Sequence, residues 1–92
     1  MTIRRQVGCI NRDRDNPHER IINIGGIDNA IRWKMSEKDA IAYIDNHQYS
    51  FFVYVGNLSV DVIVDERNGR RYLKTKNDGE KPDNLLSLPE CP

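Results

Sequence analysis

Residues 49–76 read YSFFVYVGNLSVDVIVDERNGRRYLKTK. Three β-rich runs, YSFFVYV, SVDVIVDE and RRYLKTK, are separated by Gly56-Asn57 and Asn68-Gly69, dipeptides that supply the positive φ values of tight hairpins. Alternation then sets the faces. Phe51, Val53 and Val55, then Val60, Val62 and Val64, then Tyr72 or Leu73 form one apolar side, while Asp61 and Asp65 face water. The run is expected to be a three-stranded antiparallel meander whose apolar face needs a cover.

The cover lies immediately upstream. Ser36 precedes Glu37, Lys38 and Asp39, an N-cap followed by carboxylates that face the positive end of a helix, with Asp39 placed for a capping box. Ala40, Ile41 and Ile44, with Tyr43 at the margin, make an apolar stripe at helical spacing, and Asn46 to Gln48 supply a polar end. A helix is expected over 36–48.

Towards the N-terminus, residues 3–11 alternate as an extended strand, with Ile3, Val7 and Cys9 on one side and Arg4, Gln6, Gly8 and Ile10 on the other. Residues 20–24 are a second β-type run, and the turn-forming DRDNPHE between them implies a hairpin over 1–26. Gly25-Gly26 is expected to end the second strand. The last segment, NDGEKPDNLLSLPECP over 77–92, opens with turn residues and carries Leu85, Leu86 and Leu88. A solvated linker needs no such leucines, so this tail is expected to dock on the domain or on a neighbouring subunit. The fold class that follows is α+β: a small single domain over 1–92, of order ββαβββ, with an antiparallel sheet, one helix packed on it and a docked C-terminal tail.

Composition narrows function by exclusion. In 92 residues, 14 basic side chains balance 14 acidic ones, so no global field steers the chain towards nucleic acid or an anionic membrane, and any anion site must be local. No apolar run approaches the roughly 20 residues of a membrane span, and MTIRRQVGCI lacks the apolar core of a secretory signal. A cytoplasmic location is expected, without membrane association. There Cys9 and Cys91 are expected as thiols; a bond between them would need an oxidising compartment and close Cα atoms. Neither CxxC nor HxxxH spacing is present to preassemble a metal site, and no cofactor is expected.

The segments CINRDRDNPHERIINIGG, Trp33, the helix and YLKTKNDGEKPDNLLSLPECP resemble a family of small bacterial and phage proteins catalogued as domain of unknown function 3892. The resemblance implies that PHERI, Ile24-Gly25-Gly26, Tyr72-Leu73-Lys74-Thr75 and the tail from Pro82 belong to one recurring unit, and that the setting is a phage one. It carries over no catalytic residues.

Among candidate chemistries, His18-Glu19 suggests acid–base work, but neighbours on a strand point to opposite faces. No serine sits in a GxSxG elbow, Gly25-Gly26 lacks the ending of a phosphate loop, and Asp13, Asp15 and Glu19 lack the glycine and terminal glutamate of a calcium loop. Catalysis and metal binding are therefore not expected. The cations offer more. Arg12, Arg14, His18 and Arg20 lie at the first hairpin and Arg70, Arg71 and Lys74 on the last strand, with Trp33 and Tyr72 as aromatic platforms. Gathered on one rim, they would hold a phosphate-bearing ligand, a nucleotide or a nucleic acid. The reading is a non-catalytic, homo-oligomeric binding module, applied in a phage setting to sequestering a nucleotide of host defence. The alternative is a protein-interaction or inhibitor module without a small ligand.

Overall fold

The computed structural model of the protein describes residues 2–15, 20–76 and 83–92. In chain order its elements are β1 (Ile3–Gln6), β2 (Cys9–Arg12), β3 (Ile21–Asp28), β4 (Ile31–Ser36), α1 (Glu37–Asp45), β5 (Tyr49–Val55), β6 (Leu58–Arg67), β7 (Arg70–Thr75) and the single-turn α2 (Asp83–Leu86). They form a four-stranded sheet, β1-β5-β6-β7, and a three-stranded sheet, β2-β3-β4. Among the described residues the named strands pair antiparallel except β1 with β5, and an isolated bridge of Ile10 with Glu90 is also parallel. The class is α+β, with mostly antiparallel sheet and one main helix packed on it.

The meander forms as its alternation requires. Phe51 pairs with Val62, Val53 with Val60 and Val64 with Leu73, and Phe51, Val53, Val62 and Leu73 enter the core. Tyr72 is buried on the opposite face, where its hydroxyl points at Asp65. Gly56 turns the first hairpin at φ 63°, and Asn68 and Gly69 turn the second at φ 53° and 78°. In α1, Ser36 Oγ accepts the Asp39 N–H at 3.0 Å, which is the N-cap that the sequence announces. The helix stops three residues before the expected 48. His47 takes φ 57°, His47 N–H reaches the Ile44 carbonyl and Gln48 N–H the Tyr43 carbonyl, and this paired closure ends the helix whatever the residues beyond it would prefer.

The expected first strand is extended, but it serves two sheets. Val7 N–H bonds the Phe52 carbonyl of one sheet, and Gly8 N–H bonds the Gly25 carbonyl of the other, both at 2.8 Å. That handover re-faces the chain. Val7 and Ile10 are both in the core, although strict alternation put them on opposite sides, and Ile3 is half exposed. Gly25-Gly26 does not end β3, which continues to Asp28 and turns through Asn29 and Ala30, at φ 50° and 65°, into β4. The glycines are there because other groups press on them. A Cβ on Gly25 would sit 2.7 Å from the Trp33 carbonyl oxygen and 3.0 Å from each cysteine sulfur; one on Gly26 would sit 2.5 Å from the Gln6 carbonyl oxygen.

The two sheets, α1 and α2 enclose Val7, Ile10, Ile24, Ala40, Phe51, Val53, Leu73 and Leu85. The tail leucines pack into their own chain. Leu85 is fully buried, and Leu86 and Leu88 lie against the core.

Candidate functional site

The cations expected on one rim are dispersed, and most are engaged. Arg12, at the end of β2, pairs with Glu90 at 3.0 Å and donates to the Leu86 and Leu88 carbonyls, so it holds the tail. Arg71 grips Asp45 with two bonds of 2.6 and 2.7 Å. Lys74 pairs with Asp65 at 3.1 Å on the outer face of the four-stranded sheet. Arg20 is 3.6 Å from Asp13, and Arg14 is exposed in the adjoining turn. His18 lies outside the described residues. Trp33 is on the inner face, stacked on Phe51 at 5.7 Å with the Arg5 guanidinium 5.3 Å above it. Tyr72 is 6% exposed. Neither ring is an open platform for a base.

One convergence does occur. Arg70 bonds Glu37 at 3.0 Å, and Arg20 also lies close enough to act on the Glu37 charge. The other Glu37 oxygen accepts the Leu73 N–H at 3.2 Å, so the start of α1 caps the edge strand β7. Burial raises the Glu37 pKa, and the Leu73 N–H, Arg70 and Arg20 offset only part of that rise. The exposed carboxylates shift the other way. The Arg71 hydrogen bond lowers Asp45, the Glu66 backbone N–H and Lys74 lower Asp65, and Asn11 and Arg12 lower Glu90. The groups around Glu37 serve to accommodate a buried carboxylate. A recess of about 370 Å³ beside α1 is lined by Glu37, Lys38, Ile41, Ala42, Asp45 and Arg71, where two carboxylates offset the two cations.

A different place has the opposite balance. The outer face of the three-stranded sheet aligns Cys9 with Gly25, Gly25 with Lys34, and Ile27 with Arg32. The tail crosses the β2 edge there. Ile10 N–H bonds the Pro89 carbonyl and Cys91 N–H the Ile10 carbonyl, each at 3.0 Å, while Asn11 Nδ2 donates to Glu90 at 3.0 Å. Cys91 is disulfide-bonded to Cys9 across 82 positions, which corrects the expectation of two thiols. In the chain-entropy account a closure of this length stabilises the fold by about 4 kcal/mol. Between tail and sheet runs an open groove of about 360 Å³. Its floor is Gly8 and Gly26, its apolar walls are Ile27, Pro89 and Pro92, and Gln6, Arg32 and Glu90 give it polar edges. Arg32 and Lys34 are exposed neighbours on this face, and among the described residues neither has an Asp or Glu partner. Lys34 Nζ meets only the Pro92 main-chain oxygen, at 3.5 Å. Sequence reasoning missed both, because nothing local distinguishes a neutralised cation from an unneutralised one.

The architecture and this groove define a small α+β domain clasped by its own C-terminal segment. The chain belongs to the family described as "Protein of unknown function (DUF3892)", whose model matches residues 6–89. No curated protein and no solved structure matches the chain. No helix among the described residues is long and apolar enough to cross a membrane.

Proposed function

We propose that the chain is a non-catalytic binding module for a phosphate-bearing ligand, held in the groove on the outer face of the three-stranded sheet with Arg32 and Lys34 as its anchors. One observation carries this reading. Seven cations of the described residues are paired with Asp or Glu; of those that are not, Arg32 and Lys34 are adjacent on one face, and Arg32 lines an apolar recess. An arginine offers a planar bidentate fork to phosphate and a lysine a point charge. The ligand class is the one expected from sequence, but its location moves from the hairpin–β7 rim to β4. In the phage setting that the family resemblance implies, the ligand would be a nucleotide and the module its cytoplasmic sequestering agent.

Calorimetric titration with pyrophosphate and with adenosine monophosphate tests this. Binding that weakens as salt rises and is abolished by the double change Arg32→Ala, Lys34→Ala supports the proposal. Binding unaffected by that double change rejects it. A second reading, docking of a protein or of another copy, rests on the β5–β6 hairpin tip, where Tyr54 is 55% and Leu58 72% exposed. It predicts association that is insensitive to salt and lost in Leu58→Ser.

A further inference from the structure

We infer that the Cys9–Cys91 disulfide is a redox latch on the groove, closed when oxidised and opened by thiol–disulfide exchange with a dithiol reductant. The link to ligand affinity rests on the groove reading above; the latch itself does not.

The sulfurs occupy a place shaped for them. They lie over Gly25, where any side chain would come within 3.0 Å of both, so β3 has no side chain where the bond rests. Beyond Leu88 little else holds the tail. It has the two backbone bonds of Pro89 and Cys91 to Ile10, the Asn11 amide, and the exposed Arg12–Glu90 pair, and exposed pairs add little. Upstream the anchor is of another kind, because Leu85 is fully buried and stays so in either redox state. Opening therefore frees the segment after Leu88 and leaves the rest of the fold in place.

Cys9 lines the groove, which gives a reductant access to it. A thiolate of the reductant attacks one sulfur, forming a mixed disulfide and releasing the other cysteine as a thiolate. The reductant's second thiol then closes its own disulfide and leaves Cys9 and Cys91 both as thiols. Two electrons and two protons pass to the protein, and the reductant supplies both. A reducing cytoplasm holds such pairs open.

Closure affects an anion directly. With the latch shut, Glu90 lines the groove with its carboxylate held by Asn11 and Arg12, and the Pro92 main-chain oxygen lies against Lys34. Opening carries both away from the β4 face. Reduction should then tighten binding of pyrophosphate about five-fold, the size of one nearby unit charge withdrawn at an exposed site.

The test is hydrogen exchange with mass readout on the oxidised protein, on the protein reduced with dithiothreitol, and on Cys91→Ser, paired with pyrophosphate titration of each. The expected result is exchange faster by about ten-fold or more at Cys91 and Ile10 in the two open forms, while β5–β7 and Leu85 stay protected relative to the urea-unfolded chain. Two alkylatable thiols in protein prepared under oxidising conditions overturn the latch, as does equal tail exchange in all three forms. Tail release without a change in affinity overturns the regulatory link. Tail release with no pyrophosphate binding in any form overturns the groove reading and leaves the latch standing. Protection of β5–β7 relative to the urea-unfolded chain establishes that Cys91→Ser is folded, and the reduced protein supplies the same comparison without a substitution.

Discussion

Strands β4 and β7 are both edge strands rich in cations, and they have been treated oppositely by the fold. On β7, Arg70, Arg71 and Lys74 meet Glu37, Asp45 and Asp65, and Glu37 also closes part of the strand edge by accepting the Leu73 N–H. On β4, Arg32 and Lys34 meet no Asp or Glu of the described residues, and Arg32 lines a groove. A run of arginines in sequence therefore says little about anion binding by itself. What matters is whether a neighbouring element brings a carboxylate to each, and α1 and β6 do so for β7 while the tail brings Lys34 a main-chain oxygen.

Removing the clasp that walls the β4 groove should have the largest effect. Cys91→Ser should lower unfolding free energy by about 4 kcal/mol, measured by urea denaturation, whereas loss of a fraction of a kcal/mol would mean that the tail closes the chain unaided. Leu85→Ala, which empties a fully buried position beneath the same tail, should cost about 3 kcal/mol in that assay. A negligible cost would show that α2 is not part of the core.

On the β7 side, Glu37→Gln should change how stability depends on pH. Because burial raises the folded pKa of Glu37 above its ordinary value, the folded state holds the proton more tightly than the unfolded chain does. Glu37 thus contributes most when protonated, and its contribution declines as pH rises from the unfolded value through the folded one. The stability of wild type relative to Glu37→Gln should fall over that window and be flat above it; a difference that grows with pH there would reverse the assignment. Smallest of all, the double change Arg32→Ala, Lys34→Ala should alter stability by no more than about 0.5 kcal/mol, since neither side chain has an Asp or Glu partner among the described residues. A substantial loss would mean that these cations are structural after all, like those of β7.

Local signals carried the meander and the helix, because Asn68-Gly69 and Ser36 act through their nearest neighbours. Signals that depend on distant partners were not legible. Gly25-Gly26 reads locally as a stop, yet it marks where Trp33, Gln6 and the cysteine sulfurs approach β3. Strand β4 was hidden behind a turn that places Ala30 at φ 65°, a conformation that an alanine does not advertise. Nothing in residues 3–11 signals the change of sheet at Val7–Gly8. The Cys9–Cys91 contact joins positions separated by 82 in sequence, and the site inherits that blindness because one of its walls is the tail. Of the ligand-binding residues expected from sequence, Trp33 lies on β4 but on its inner face, stacked on Phe51, and Arg12 is occupied in holding the tail.

The contrast between the two edges is tested most directly by titrating isotope-labelled protein with pyrophosphate and following the backbone amide resonances. The account predicts that the saturating shifts centre on Arg32 to Lys34, Gly26, Ile27, Glu90 and Cys91. Shifts centred instead on Arg70 to Lys74 or on Arg14 and Arg20 would contradict it and return the anion to the neutralised rim.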